Sequence, residues 1–161
     1  MTDTPSAPAD EFMELLKRAS EAFDTAADWL GCALEDAVSI GDGWAHPTAK
    51  VGPGVTVGKG AWIGPRVWIG PDARIGPNVE IGPDVTIGAG ARIGTDATIG
   101  RDVRIGADAW IRPGAEIGPG AWIGPGAKIG PGAKIGPGAE IGPGAEIGPG
   151  ASIEKKGDSD E

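Results

Sequence analysis

The chain has little of the chemistry on which many enzymes depend. Its 161 residues include one cysteine, one histidine and no tyrosine. The single cysteine, Cys32, excludes an internal disulfide and is consistent with a reducing compartment. The single histidine, His46, excludes a zinc site built from three histidines. We therefore predict a protein with no metal and no cofactor.

Long apolar runs and basic patches are also missing. No run is long enough to span a bilayer, and the first residues, MTDTPSAPADE, are too acidic and polar for a signal peptide. The net charge is −9. Residues 1–50 carry ten acids against three bases, whereas residues 51–152 carry nine of each. This acidity disfavours nucleic acid as a partner. We expect no membrane contact, and a location in the cytoplasm or in a larger particle.

What the chain does have is a six-residue repeat without insertion or deletion. Seventeen complete hexads, such as IGPDVT and IGPGAE, run from Val51 to Ser152, and Ile153 opens another. The first position is always Ile or Val and the fifth is always Ala or Val. The second is Gly except at Arg112, and the fourth is Gly, Asp or Asn except at Arg66. A short fixed period is typical of stacked units that share one core.

Each hexad predicts one short strand and one corner. Its fifth, sixth and first positions read apolar, exposed, apolar, which is the alternation of a half-buried strand. The next three positions are turn residues, because Pro fixes φ near −65° and Gly, Asn or Asp tolerate positive φ. Three corners close a triangle of eighteen residues, which gives about six coils if the degenerate hexad at residues 45–50 is counted. Parallel strands about 4.8 Å apart then make a solenoid roughly 29 Å long.

This pattern resembles the hexapeptide-repeat superfamily, and the resemblance covers about two thirds of the chain. The shared features are the aliphatic residue followed by Gly and the small fifth residue of each hexad. The resemblance implies a left-handed parallel β-helix, often trimeric, in a family that includes acyltransferases and γ-class carbonic anhydrases. Since that fold carries several activities, it does not by itself fix the function.

The residues before the repeat form a different segment. We expect a disordered leader at 1–9, a helix at 10–38, the solenoid at 39–153 and a disordered polar tail at 154–161. Apolar residues spaced alternately four and three apart make a heptad seam in the helix. This helix is predicted either to cap its own solenoid or to form a bundle that attaches the protein to a larger assembly. Its predicted contact residues are Phe12, Leu16, Phe23 and Leu30.

Four tryptophans occupy the outward sixth position of their hexads. Large exposed aromatic side chains indicate contact with a partner. We favour contact between subunits, with stacking on a sugar or small ligand and shielding by the N-terminal helix as alternatives. These residues are Trp62, Trp68, Trp110 and Trp122.

Ion pairs between successive coils follow from the same eighteen-residue pitch. It places Glu116 beside Lys134 and Lys128 beside Glu146. We predict that both pairs form.

His46 is the one candidate for catalysis. In the resembled acyltransferases a histidine acts as general base, and the resemblance assigns that role to His46 alone. General-base catalysis needs an orienting partner, and no insertion in the repeat builds a pocket over this residue. We therefore expect a surface turn histidine in a non-enzymatic scaffold, a rigid and spike-like homotrimeric prism. The alternatives are an acyltransferase-like enzyme or ligand binder at clefts between subunits, and an end-to-end polymer.

Overall fold

The structure is a computed structural model that describes residues 38–155, and every regular element among these residues is a strand. Each strand contains only two or three residues, because the hexad places a corner directly after it. In chain order the strands are β1 (Val38–Ile40), β2 (Gly43–Ala45), β3 (Lys50–Val51), β4 (Thr56–Val57), β5 (Trp62–Ile63), β6 (Trp68–Ile69), β7 (Arg74–Ile75), β8 (Glu80–Ile81), β9 (Thr86–Ile87), β10 (Arg92–Ile93), β11 (Thr98–Ile99), β12 (Arg104–Ile105), β13 (Trp110–Ile111), β14 (Glu116–Ile117), β15 (Trp122–Ile123), β16 (Lys128–Ile129), β17 (Lys134–Ile135), β18 (Glu140–Ile141), β19 (Glu146–Ile147) and β20 (Ser152–Ile153).

Three parallel sheets form the three faces of a prism. The Trp62 face contains β2, β5, β8, β11, β14, β17 and β20, in that order. The Trp110 face contains β4, β7, β10, β13, β16 and β19, and the Trp68 face contains β3, β6, β9, β12, β15 and β18. Every third strand thus returns to the same face, and the register is eighteen residues, as when Thr98 pairs with Glu80 and with Glu116. The prediction of about six coils is confirmed.

The core is a column of aliphatic side chains between the three faces. The isoleucines that open the hexads point inward, and Ile99, for example, is completely buried between Ile81 and Ile117. The Ala or Val at the fifth position fills the rest of the interior. Among the described residues, no buried side chain is polar or charged. Stability therefore rests on apolar burial and on the hydrogen bonds between coils.

The corners have the backbone conformation that the turn residues predict. Seven non-glycine residues at the fourth position have φ between 55° and 59°. Asp and Asn tolerate this left-handed region better than other side chains, and six of the seven are Asp or Asn. The seventh is Arg66, with φ of 56°.

The second position of the hexad is glycine because the next coil lies directly beneath it. At Gly124, an added Cβ would lie 2.5 Å from the backbone nitrogen of Pro143, which is too close for any side chain without a shift. Arg112, which has this position in its own hexad, is the exception.

The start of the solenoid contains a feature that the repeat does not predict. Strand β1 pairs with β2 in the antiparallel direction, with Val38 opposite Ala45, and so adds a hairpin to the edge of the Trp62 face. The predicted helix at 10–38, with Phe12, Leu16, Phe23 and Leu30, lies outside the described residues apart from Val38. The predicted tail lies outside them from residue 156 onward.

Within residues 38–155 there is also no helix with the length and hydropathy needed to cross a membrane.

Candidate functional site

His46 lies at the first corner of the solenoid, directly after β2. It is half-buried, and its backbone N–H donates to the carbonyl of Ile63 in the next coil, at 2.8 Å. We call the column of corners below it, between the Trp62 and Trp68 faces, the Asp84 corner. Its fourth-position residues are Thr48, Arg66, Asp84, Asp102, Gly120 and Gly138.

The imidazole of His46 bonds to Thr48 through one nitrogen. The backbone N–H of Thr48 donates to Nδ1 at 3.1 Å, and the Oγ1 of Thr48 lies 2.8 Å from the same atom. A backbone N–H can only donate, so Nδ1 of the ring accepts. His46 thus lies at a turn, and this placement does not test its role in catalysis.

These contacts arise because the first corner has no earlier coil above it among the described residues. In the later coils, the backbone N–H of the residue at the fourth position of the hexad donates to a carbonyl of the preceding coil. For example, the N–H of Asp84 donates to the carbonyl of Pro65 at 3.0 Å. The N–H of Thr48 instead donates to His46, and the N–H of Arg66 donates to the Oγ1 of Thr48 at 3.0 Å. Side chains thus satisfy backbone groups that would otherwise lack partners.

Arg66 extends this polar chain by one coil. Its Nε and Nη2 donate to the two carboxylate oxygens of Asp84, each at 2.8 Å. This bidentate geometry gives strong, orienting hydrogen bonds, and it accounts for an arginine at a corner of positive φ. The hydrogen bonds from Arg66, with its positive charge as a further cause, lower the pKa of Asp84 despite some desolvation. Asp84 is therefore ionised at neutral pH and keeps the pair intact.

Sequence reasoning missed this chain of contacts from His46 to Asp84. The signal was present, since Thr48, Arg66 and Asp84 are spaced eighteen residues apart. The eighteen-residue pitch that aligns the sixth positions of successive coils also aligns their fourth positions.

The four outward tryptophans do not share one environment. Trp68, Trp110 and Trp122 are 48%, 38% and 39% exposed, and their contact with a partner stays a prediction. Trp62 is only 6% exposed, so the outward position alone did not determine exposure. The three exposed rings lie on two adjacent faces of the prism, with Trp68 and Trp122 on the same face.

Two arginine guanidinium groups lie near the indole ring of Trp110. The guanidinium of Arg112 lies 4.5 Å from the centre of the indole ring, and that of Arg92 lies 5.9 Å from it. Both distances are in the range of cation–π attraction. The contact with Trp110 is a structural reason for an arginine at position 112, where the other hexads have glycine.

Both predicted ion pairs between coils are present. Lys128 Nζ lies 2.7 Å from Glu146 Oε1, and Lys134 Nζ lies 3.4 Å from Glu116 Oε2. The hydrogen bond and charge of Lys128, with a smaller effect of Arg112, lower the pKa of Glu146. All four side chains are largely exposed, so these pairs order the surface and are not a catalytic cluster.

In the part of the chain that the structure describes, no three His, Cys, Asp or Glu side chains come together as a metal site would require.

Comparison with known families gives a match along most of the solenoid. Residues 60–95, 79–113 and 120–155 match the family described as "Bacterial transferase hexapeptide (six repeats)". These segments include more than half of the chain. No curated protein sequence matches the chain.

Solved structures share the fold. WeeI from Acinetobacter baumannii AYE is 22% identical over 68% of this chain, with a TM-score of 0.65. The acetyltransferase domain of PglB from Neisseria gonorrhoeae FA1090, solved with acetyl coenzyme A, is 20% identical over 80% of this chain, with a TM-score of 0.59. The chain spans 53% of the first structure and 60% of the second.

These findings correct two predictions made from the sequence. The prediction of a non-enzymatic structural scaffold is wrong, as is the prediction that the protein is not an enzyme, because the matching family and the neighbouring structures are transferases. The lack of inserted loops in the repeat and of further histidines in the sequence does not exclude a transferase. The alternative interpretation, an acyltransferase-like protein, has the better support. The chain belongs to the bacterial transferase hexapeptide family, whose fold is the left-handed parallel β-helix.

Proposed function

We propose that this chain is an acyltransferase, or the β-helical part of one, which moves an acyl group from coenzyme A to an amine or hydroxyl group. The observation that carries this proposal is the match to a transferase family over residues 60–113 and 120–155. The acetyl coenzyme A bound by the PglB domain suggests the donor. A cytoplasmic location is part of the proposal, because acyl-CoA is made there.

We propose His46 as the catalytic residue. It is the only imidazole in the chain, and it lies half-buried at a corner where the adjacent polar groups are already ordered. The Nδ1 edge of the ring contacts Thr48. In this proposal, a neighbouring subunit supplies the second wall of the site.

The proposed assembly is a homotrimer. Hexapeptide-repeat transferases commonly form trimers, and closed symmetry is usual for soluble oligomers. Trp68 and Trp122 are the proposed contacts, since both project from the Trp68 face and are substantially exposed. Trp110, on the neighbouring face, is the second candidate, whereas the burial of Trp62 makes it unsuitable as a contact of the isolated prism.

The activity is tested by measuring free thiol released from acetyl-CoA in the presence of amine-bearing and hydroxyl-bearing acceptors, including amino sugars. We expect acceptor-dependent release, which falls about 100-fold or more in His46→Ala, because positioned polar groups at the reacting atoms contribute factors of this size. Lys134→Ala, at the other end of the solenoid, is the matched control and should retain full activity. Absence of thiol release with every acceptor would refute the proposal. Equal rates in His46→Ala and the parent would remove His46 from it.

A further inference from the structure

Three arginines and a tryptophan lie together on the Trp110 face. Arg74 pairs in register with Arg92, and Arg92 with Trp110, on successive strands. Arg112 follows Trp110 by two residues, and its guanidinium lies 4.5 Å from the centre of the indole ring. We call Arg74, Arg92, Trp110 and Arg112 the Arg92 cluster. It extends over two strand spacings, about 10 Å along the solenoid, and all its members except Arg112 are exposed.

The arginines of this cluster have no carboxylate partner within residues 38–155. The acids nearest to them along the chain are Asp72 and Asp108, whose carboxylates lie over glycines of the preceding coil. Glu146, on which Arg112 has a small effect, is bound by Lys128. The cluster therefore differs from the other basic side chains of the solenoid that do form ion pairs, which are Arg66, Lys128 and Lys134.

The arrangement is unfavourable for the chain by itself. Arg74 and Arg92 are directly opposite one another on neighbouring strands, and like charges in this position repel. The protein has a net charge of −9, so the excess of positive charge at the cluster is local. Carboxylates supplied from outside the chain would remove the repulsion.

We propose that the Arg92 cluster is a docking surface for an acidic segment of another protein. Carboxylates of the partner bind the guanidinium groups of Arg74, Arg92 and Arg112, and the exposed ring of Trp110 packs against the partner between them. The proposed contacts between subunits use the Trp68 face and leave this surface open. The inference does not depend on acyl transfer.

The composition of the cluster favours a protein as the partner. Tryptophan and arginine are enriched among the residues that contribute most to affinity between proteins, and the arginine fork binds a carboxylate through two parallel hydrogen bonds.

The small extent of the cluster argues against a long polyanion. A nucleic acid or an acidic polysaccharide repeats its charges along its length. Beyond the cluster, however, the same face has Thr56 on one side and the ion pair of Lys128 with Glu146 on the other. The net charge of −9 also repels a long polyanion.

The surface is tested by fluorescence anisotropy of the full chain with a labelled synthetic peptide of alternating Glu and Ala. We expect saturable binding that weakens as salt rises, because the Debye length falls from about 10 Å at 0.1 M to about 3 Å at 1 M. Arg92→Glu and Trp110→Ala should each weaken binding by about tenfold or more, as expected for residues at the centre of an interface. No binding at about 1 mM peptide, or equal binding of a peptide with Gln in place of Glu, would overturn the proposal.

Arg101→Glu is the matched control, since it makes the same change of charge at an exposed position on the Asp84 corner. It should bind the peptide within about twofold of the parent, a surface effect of less than about 0.5 kcal/mol, and an equal loss in this variant would overturn the proposal. Heparin and single-stranded DNA are tested in the same way. If either of them binds through Arg92 while the peptide does not, the partner is a different polyanion and the proposal is wrong. A lower mass of Arg92→Glu in light scattering would assign the cluster to a contact between subunits and would also contradict it.

Discussion

Replacing Ile99 by Asp should destabilise the protein by about 4 kcal/mol or more, because it places an unpaired carboxylate in an aliphatic column. Ile99 is 0% exposed, and its neighbours in the coils above and below are Ile81 and Ile117. No buried polar side chain among the described residues is available to bond the new carboxylate. In a stacked repeat each coil contacts only its neighbours, so the defect weakens both adjacent interfaces.

This prediction is checked by urea unfolding followed by circular dichroism. Thr86→Asp is the matched control. It adds the same charge at an exposed sixth position in β9, on the Trp68 face, whereas Ile99 is in β11 on the Trp62 face. The control should lie within about 0.5 kcal/mol of the parent. A loss of less than about 1 kcal/mol in Ile99→Asp would mean that the first position of the hexad does not face the core.

Changing Trp68 and Trp122 together to Ser should convert the proposed homotrimer into a monomer. Both rings belong to the Trp68 face and are 48% and 39% exposed in the isolated chain. Aromatic anchors at the centre of an interface commonly contribute about 2 kcal/mol or more each, and a closed trimer repeats every contact three times. The loss of association free energy should therefore exceed what the remaining contacts between subunits can offset.

Light scattering gives the mass that decides this prediction. Trp110→Ser is the control for the location of the interface, because it removes an exposed ring of similar size from the adjacent face. Deletion of residues 1–38 tests the alternative that the N-terminal segment holds the subunits together. A parent protein that is monomeric contradicts the trimer outright. Dissociation by Trp110→Ser, with no effect of the double change, would move the interface to the Trp110 face.

The fold and its register could be predicted from the sequence because the repeat is uninterrupted. A period of six with an apolar first position fixes which side chain faces inward, and three sides per coil fix the pitch. The contacts of Lys128 with Glu146 and of Lys134 with Glu116 follow from that pitch alone, and both are present. Positive φ at the fourth position follows from the Asp, Asn and Gly that stand there.

The period could not predict what happens where the repeat begins. Strand β1 turns back against β2 in the antiparallel direction, which no hexad encodes. Trp62 has the same position in its hexad as Trp68 but is almost fully buried, since burial depends on neighbours as well as on direction. Among residues 38–155, no earlier coil accepts the N–H of Thr48, and this N–H donates to His46 instead.

The function was the hardest part to infer because repeated units carry few distinctive side chains. A catalytic site needs unlike groups around one point, and within the described part of the chain the Asp84 corner brings His46, Thr48, Arg66 and Asp84 together. A site completed by a neighbouring subunit leaves no pattern in the order of residues along one chain. The proposed site could therefore not be recognised from the sequence alone.

The central claim is that an acyl-CoA donor binds beside His46, and titration of ¹⁵N-labelled protein with a non-hydrolysable acetyl-CoA analogue tests it most directly. The account predicts a saturable shift of the imidazole nitrogen signals of His46. Binding of the analogue with no change in either imidazole nitrogen, or no binding at millimolar concentration, would contradict the account.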